Sequence, residues 1–324
     1  MLPKPFYLRL VSCSLPLVLF SCQSNQPDPS KPKPPTHAAA KSNALLPKSS
    51  TSERTFPAGT EFRFLSQHNK NKELRDSAKS FLKSLSPSEK SIVIRLNRVD
   101  ATTLGRLDTL VIPNTIDTNW MSYCIFPQTL PILKDVHRMI IFAYYQEAFA
   151  AYENGQLVHW GPTNMGKKAS PTPTGLFFTN WKAKETISTV NDEWKLKWNF
   201  NLANYAGVGF HQYQLPGYPA SHSCLRLQEA DAMYLYNWAQ QWIVRDGQLL
   251  AKGTPVWVYG VYPFGKSKPW WSLVKDPKAL TISADTLNAM LQPQLDKIIS
   301  AQQNRDKIES SGPQPKIDTA TTSR

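Results

Sequence analysis

Short apolar runs separated by turn signals fill residues 139–160, and they constrain the fold more than any other feature of the chain. Met139 to Ala143 and Ala148 to Tyr152 are rich in β-branched or aromatic residues, which favour strands. Asn154-Gly155 follows them, and this dipeptide is typical of two-residue hairpin turns because both positions tolerate a positive φ. With Gln156 to Trp160 as the returning strand, the pattern predicts a β-meander.

Strand and helix signals continue after this meander. Trp181 to Asn201 contains tryptophans that alternate with lysines. This pattern fits a half-buried strand or a flap over a groove, with a saccharide or nucleic-acid platform as the alternative. Glu229 to Val244 places apolar residues at helical spacing and predicts a helix that faces the core. Thr254 to Tyr259 reads as the last strand, so residues 133–262 are expected to form one mainly β domain.

The segments on either side of this domain differ in composition. Residues 263–324 are expected to form a C-terminal extension, with a helix around Asp285 to Ile299 interrupted by Pro293 and a disordered polar tail from about Asn304. Residues 58–115 form a small helical subdomain, whose end from Leu96 to Pro113 resembles the second half of a LysM glycan-binding repeat. The alternative for this subdomain is a purely structural packing role.

The first 57 residues lack the composition of a folded body. Lys4 and Arg9 precede an apolar run from Leu10 to Phe20, which is the layout of a secretory signal peptide and is short for a membrane-spanning helix. We therefore expect residues 1–21 to be cleaved. Residues 22–57 are rich in Pro, Ser, Lys and Thr and are expected to be a disordered tether, because such a segment cannot bury a core.

The end of the apolar run also predicts how the protein is attached. Leu19-Phe20-Ser21-Cys22 resembles a bacterial lipobox, which implies cleavage before Cys22 and a lipid on its sulfur. The alternative is an ordinary signal peptide cut nearby, with Cys22 unmodified. With the lipid, the mature protein is a soluble monomer anchored to a membrane, on the periplasmic side of the bacterial cell envelope.

The residues around Cys224 have the highest density of groups that can activate a nucleophile. His211 and His222, two of the six histidines, lie within thirteen residues of it. A cysteine is a strong nucleophile as the thiolate, and a nearby imidazole can take its proton. Ser221 and Ser223 keep the loop small and polar, so its backbone N–H groups are candidates for an oxyanion hole. Cys124 is expected to be a small buried hydrophobe without a disulfide to Cys224.

Two motifs carry a family resemblance. Leu215 to Leu227 reads Leu-Pro-Gly-Tyr-Pro-Ala-Ser-His-Ser-Cys-Leu-Arg-Leu and resembles the active-site signature of the YkuD-type L,D-transpeptidases. Gly166-Lys167 and the Thr-Pro-Thr-Gly of residues 172–175 resemble the first half of the same domain, in the expected order. Ser223 departs from the signature, which has glycine there, and serine tolerates a positive φ less well. The resemblance implies a catalytic domain of β-sandwich or barrel-like sheets with one or two helices.

The resemblance also implies catalytic roles. Cys224 is the nucleophile, and His211 is the general base, oriented by a backbone carbonyl such as that of Gln212 in place of a carboxylate. His222 and Ser223 shape the loop and supply the oxyanion hole. Activity is expected even with Ser223 in place of glycine, because backbone amides, which serine also has, bind the substrate carbonyl oxygen.

The same resemblance assigns residues to the substrate. Arg226 is expected to clamp a substrate carboxylate, with a structural salt bridge as the alternative. Ser221 and Tyr218 complete the predicted substrate-binding set. No metal or other cofactor is expected, since the chain has no HExxH and no paired Cys/His spacing.

The implied reaction is acyl transfer between peptidoglycan stem peptides. The thiolate acylates at the L-centre of the third stem residue, releases D-Ala and passes the acyl group to an amine. With water as acceptor the enzyme is an L,D-carboxypeptidase, and with a protein lysine it is a wall anchor. A catalytically inactive peptidoglycan-binding lipoprotein is a further alternative. A papain-like peptidase is disfavoured, because no histidine follows His222.

The charge of the chain fits such a partner. The formal net charge of +13 falls to about +11 when Lys4 and Arg9 leave with the signal. A basic exported protein is drawn to anionic groups, among which stem-peptide carboxylates, wall polyanions and lipid head groups fit the compartment. Nucleic acid is not expected as a partner, because no binding module is recognisable.

Overall fold

The computed structural model describes residues 56–57, 59–188, 193–204 and 206–311. The predicted signal peptide, Cys22 and nearly all of the predicted tether lie outside these residues, as do residues 312–324. Among the described helices, none has the length and apolar character needed to cross a bilayer.

Residues 59–113, called the small unit below, contain two helices packed on a two-stranded sheet. In chain order they are β1 (Phe62–Ser66), α1 (Lys72–Ser84), α2 (Pro87–Asn97) and β2 (Thr109–Pro113), with β1 and β2 antiparallel. Ser86 and Glu89 form a capping box at the start of α2, which satisfies N–H groups that lack helical partners. Helices α1 and α2 lie in the segment that was expected to be a small helical subdomain, and the sequence did not predict the sheet.

The described residues after the small unit form a mainly β body, as predicted. Its strands are β3 (Met139–Ala143), β4 (Ala148–Glu153), β5 (Gln156–Asn164), β6 (Gly175–Phe178), β7 (Lys182–Ile187), β8 (Lys195–Ala203), β9 (Val208–Gln212), β10 (Leu225–Leu227), β11 (Ile243–Arg245), β12 (Gln248–Ala251) and β13 (Pro255–Tyr259). Nine of them form one sheet in the order β6-β13-β3-β4-β5-β10-β9-β8-β7, and β11 and β12 form a separate hairpin.

The predicted meander is present in β3, β4 and β5. Asn154 and Gly155 make the hairpin turn with φ of 46° and 74°, the conformation that this turn type requires. A Cβ added to Gly155 would lie 2.6 Å from the carbonyl oxygen of Leu130. The turn thus needs glycine for close packing as well as for its backbone conformation.

The sheet curls, because the segment between β6 and β7 joins its two edges. The N–H of Asn180 donates to the carbonyl of Asn201 in β8 at 2.8 Å. Inside the curl, a core of large apolar side chains packs against α3 (Glu229–Trp238). Phe142, Phe149, Phe200 and Phe210 form a chain of ring contacts there, with centroids 5.3 to 6.3 Å apart.

The helix predicted over Glu229 to Val244 is wrong in its second half. It ends at Trp238, and Ile243 begins strand β11. The backbone of Gln240 exchanges hydrogen bonds with Thr254, and the N–H of Trp242 donates to Asn180. These bonds to residues outside the predicted helix stabilise the extended backbone that the apolar spacing did not predict.

The C-terminal extension is helical. It contains α4 (Ala284–Leu291) and α5 (Leu295–Ser310), separated by a short 3-10 turn at Gln292–Gln294. Pro293 lies in that turn, as predicted. Because α5 continues to Ser310, the expectation of a disordered tail from Asn304 is wrong for residues 304–310.

Candidate functional site

The two predicted catalytic side chains lie on neighbouring elements of the sheet. His211 is in β9, and Cys224 directly precedes β10. These two strands are parallel, with His211 paired to Arg226 and Phe210 paired to Leu225. Paired residues of adjacent strands project to the same face of a sheet, so this register brings the imidazole, the thiol and the guanidinium together.

One cleft contains most of the residues that the sequence nominated. The cleft is lined by Ser188, Trp194, Leu196, His211, Tyr213, Ser221, His222, Cys224 and Arg226. None of these lining residues is acidic. Five of the seven predicted catalytic and substrate residues therefore share one surface, with Ser223 in the chain between two of them.

The Cys224 thiol is protonated in the resting site. Its Sγ donates to the carbonyl of Gly207 at 3.3 Å. Burial raises the pKa of the thiol above its ordinary value, although a backbone hydrogen bond from Gly209 and the charge of Arg226 act in the opposite direction. Because a thiol is a poor nucleophile, this cysteine needs a base to react.

His211 has the tautomer that a base requires. Its Nδ1 lies 2.9 Å from the carbonyl oxygen of Gln212. A carbonyl only accepts, so Nδ1 carries the hydrogen and Nε2 keeps its lone pair. The ring is 3% exposed. Its burial lowers the pKa to about 4, with the Gln212 hydrogen bond opposing and the Arg226 charge adding to this effect. The imidazole is therefore neutral at physiological pH.

Arg226 supplies positive charge to the cleft. Its guanidinium lies 4.5 Å from the centre of the Tyr213 ring. Burial lowers its pKa from the ordinary value, with the Tyr213, Cys224, Tyr218 and Glu147 charges opposing. Among the described residues no carboxylate forms an ion pair with it. This leaves the guanidinium available for an anionic ligand.

The loop that precedes Cys224 is held by the second sequence motif. The N–H of Ser221 donates to Met165, and the N–H of Lys167 donates back to Ser221. Thr172 donates from Oγ1 to the carbonyl of Ser223 at 3.0 Å and accepts from the N–H of Gly166 at 2.8 Å. The two motifs that resemble one family therefore meet in space.

Ser223 adopts the backbone conformation that its glycine counterpart would favour. Its φ is 84°, in the left-handed region that a side chain with a Cβ adopts at a cost of about 1 kcal/mol or more. Its hydroxyl donates to the carbonyl of His222. The loop thus keeps its shape with a strained residue beside the nucleophile.

His222 lines the cleft and contacts Lys167 and Trp194. Its Nε2 accepts from the ammonium of Lys167 at 2.7 Å. The pKa of the ring is lowered by desolvation and by the Lys167 and Arg226 charges. The proximity of two cations keeps this imidazole neutral, and its contacts to Lys167 and Trp194 fit the predicted loop-shaping role.

Ser221 and Tyr218, unlike Arg226, do not present a free charged group to the cleft. The Ser221 hydroxyl donates to the carbonyl of Cys224 at 2.6 Å, so it supports the loop. Tyr218 is 54% exposed and does not line the cleft. Its carbonyl accepts from the side chain of Asn164. Substrate binding by these two residues stays a prediction.

Sequence reasoning gave no role to several residues behind the site. Glu147 is completely buried and accepts from the N–H of Met165 and the amide of Asn164. Burial raises its pKa well above the ordinary value, against the opposing effect of these hydrogen bonds. Lys167 carried a signal, since it stands in the Gly-Lys pair of the second motif. Glu147 and Asn164 carried none, because only strand register brings them to the loop.

The described residues contain no group of three His, Cys, Asp or Glu side chains arranged as metal ligands. Of the two cysteines among them, neither is in a disulfide. Cys124 is buried, as predicted.

One family model matches the part of the chain that contains this cleft. Residues 138–258 match the family model of the YkuD L,D-transpeptidase catalytic domain. That range includes every residue of the cleft. No curated protein gives a match.

Solved structures of several L,D-transpeptidases are similar over part of this chain. One from Stackebrandtia nassauensis is 21% identical, with 39% of this chain and 57% of that chain covered, at a TM-score of 0.33. One from Mycobacterium smegmatis is 18% identical, with coverage of 39% and 59%, at a TM-score of 0.31. One from Mycobacterium tuberculosis H37Rv is 22% identical, with coverage of 39% and 58%, at a TM-score of 0.31. The chain thus spans less than two thirds of each of these proteins.

Proposed function

We propose that this protein is a cysteine-dependent L,D-transpeptidase that acts on peptidoglycan stem peptides. The observation that carries the proposal is the shared cleft of Cys224 and His211, in which a backbone carbonyl fixes the imidazole as a hydrogen-bond acceptor towards the site. The match of residues 138–258 to the L,D-transpeptidase catalytic domain supports this reading.

In the first half-reaction the thiol is acylated. Because thiol and imidazole are both neutral at rest, the proton moves from Sγ to Nε2 of His211 as sulfur attacks the carbonyl carbon of the third stem residue. Backbone N–H groups of the loop stabilise the negative charge on the oxygen. The C–N bond then breaks, the imidazolium protonates the leaving nitrogen, and D-Ala departs. Cys224 is left as a thioester.

In the second half-reaction an amine of another stem attacks the thioester. His211 accepts a proton from that nitrogen, the C–S bond breaks, and the sulfur regains the proton. The product is a cross-link between two stems. Arg226 binds a carboxylate of the donor stem, which is consistent with its position in the cleft without an acidic partner. The reaction needs no redox partner.

Product analysis tests this proposal. The purified chain is incubated with a tetrapeptide muropeptide, alone and with an amine acceptor, and the products are identified by mass. Cross-linked dimers together with D-Ala are the expected result. Tripeptide without dimers would show the carboxypeptidase instead. Unchanged substrate at every acceptor concentration would leave the inactive binding protein as the answer.

The cellular location belongs to the proposal as well. Cys22 and the apolar run before it lie outside the described residues, so the support is the lipobox-like sequence. Expression of the full chain in a bacterium should place it in the membrane fraction with a lipid on Cys22. The Cys22→Ser variant should lose the lipid and the membrane association, whereas retention of both would contradict the anchor.

A further inference from the structure

The segment that joins the base to the nucleophile is bound to the small unit. Residues 213–220 connect β9, which carries His211, to the loop before Cys224. The N–H of Leu215 donates to Oδ2 of Asp100 at 2.8 Å, and the N–H of Asp100 donates to the carbonyl of Leu215 at 3.3 Å. Val99 and Pro216 form an antiparallel bridge beside these bonds. One turn of the small unit thus pairs with this segment as a strand would.

Close packing accompanies these hydrogen bonds. Gly217 has a φ of 79°, and an added Cβ would lie 3.0 Å from Cγ1 of Val99 and 3.3 Å from the carbonyl oxygen of Asn97. Leu215 and Val99 are fully buried. The Leu-Pro-Gly sequence of the motif therefore has a local explanation, since these residues fit against the small unit.

A further bond ties the other side of the nucleophile to the same turn. The side-chain amide of Gln228, which directly follows β10, donates to the carbonyl of Val99 at 2.8 Å. The chain is therefore bound to residues 99–100 both before and after Cys224.

Asp100 is itself rigidly oriented. Its Oδ1 accepts from the N–H and hydroxyl groups of Thr102 and Thr103 at 2.6 to 3.0 Å. Burial on its own would raise the pKa of this carboxyl, but the bonds from Thr102, Leu215 and Thr103 outweigh it and hold the pKa below its usual range. Oδ2 is thereby fixed as a charged acceptor aimed at Leu215.

We infer that Asp100 is a positioning residue for acyl transfer, so that the small unit is a working part of the catalytic site. Asp100 acts through Leu215 on the segment between His211 and Cys224 and keeps the two reactive groups in register. The inference rests on the proposed function. It gives the small unit a role in catalysis that is independent of any glycan binding.

The test measures acylation of the full chain by imipenem, followed by adduct mass over time at several concentrations. This separates the first-order acylation constant from the apparent affinity. For Asp100→Ala the first-order constant should fall about tenfold, because small misplacements of reacting groups cost rate, while the apparent affinity stays within about twofold. Asp100→Asn keeps one acceptor oxygen, and its constant should fall about threefold.

Asp108→Ala is the matched control. Asp108 also belongs to the small unit, but the one described residue to which its carboxylate bonds is the exposed His68, and it has no hydrogen bond to residues 213–220. Its variant should be acylated at the wild-type rate. All variants are compared at a temperature where circular dichroism shows them folded, and Asp100→Asn carries the test if Asp100→Ala does not fold.

The outcomes separate this inference from the proposed function. If imipenem formed no adduct with the wild-type protein, both the proposed function and the positioning role of Asp100 would be wrong. Normal wild-type acylation with an unchanged first-order constant in the Asp100 variants would overturn the positioning role and leave the enzyme. The positioning role would also be wrong if the first-order constant fell equally in Asp108→Ala, or if the Asp100 variants lost only apparent affinity for imipenem.

Discussion

The two reactive side chains are held by different kinds of structure. His211 lies in β9, which pairs with β10 on one side and with β8 on the other, where the register shifts opposite residues 210–212. Cys224 follows an irregular loop that contains a residue at positive φ. One hydrogen bond each with Met165, Lys167 and Thr172 holds this loop. The position of the base thus follows from the sheet, whereas the position of the nucleophile depends on a few individual contacts. Changes far from the thiol but bonded to its loop should therefore affect catalysis more than changes around the base strand.

The largest expected effect is the loss of the sulfur. Cys224→Ala should lower acylation by imipenem at least about a thousandfold, since no other group can form the acyl-enzyme. Circular dichroism should show an unchanged fold, because the thiol, a weak hydrogen-bonding group, bonds only with backbone groups of Gly207 and Gly209 among the described residues. Cys124→Ala is the matched control and should be acylated normally. An adduct of equal yield in Cys224→Ala would place the nucleophile elsewhere.

The buried base should make stability depend on pH. The folded-state pKa of His211 is about 4, below the ordinary 6.5. Between these values the unfolded chain binds a proton that the folded chain does not, so stability falls as the pH decreases from 6.5 to 4. The full effect is about 3 kcal/mol.

Urea unfolding of the wild type and of His211→Gln between pH 6.5 and 4 measures the contribution of His211 to this pH dependence, because both proteins have the same other titrating groups. As the pH falls from 6.5 to 4, the free energy of unfolding of the wild type should decrease by up to about 3 kcal/mol relative to that of His211→Gln. Parallel curves would mean that the ring is not held neutral by burial.

The loop before Cys224 can be weakened by substitution of Thr172, which donates to the carbonyl of Ser223. Thr172→Val keeps the shape of the side chain but leaves the Gly166 N–H and the Ser223 carbonyl without their partner. Stability should fall by about 2 kcal/mol, and the acylation constant should fall about tenfold as the loop loosens. Thr174→Val, at an exposed position of the same motif, should change neither value. Equal rates in both variants would contradict the idea that this bond sets the loop.

The smallest effect concerns the Cβ of Ser223. Ser223→Gly and Ser223→Ala both remove the hydroxyl, but alanine keeps a Cβ at a φ of 84°. The glycine variant should be more stable than the alanine variant by about 1 kcal/mol, as measured by thermal unfolding. Its acylation rate should equal or exceed that of the wild type. Identical stabilities would show that serine is not strained there.

The features that the sequence predicted well are local. Asn154-Gly155 specifies its turn by its own backbone preferences, and the sequence around Cys224 contains both the thiol and the imidazole that line the cleft. The prediction of a helix over Glu229 to Val244 failed in its second half, since Thr254 and Asn180, which lie outside that segment, take the backbone hydrogen bonds of Gln240 and Trp242. For the same reason Glu147, Asn164 and Asp100 could not be found, because their roles depend on which strands become neighbours.

The central claim is that His211 is the base for Cys224. The most direct test compares imipenem acylation constants of the His211→Ala and His222→Ala variants with the wild type at neutral pH. His211→Ala should lose at least about a hundredfold, and His222→Ala, which removes the contact to Lys167, should lose about tenfold or less. Near-wild-type acylation of His211→Ala together with loss in His222→Ala would contradict the account and transfer the role of base to His222.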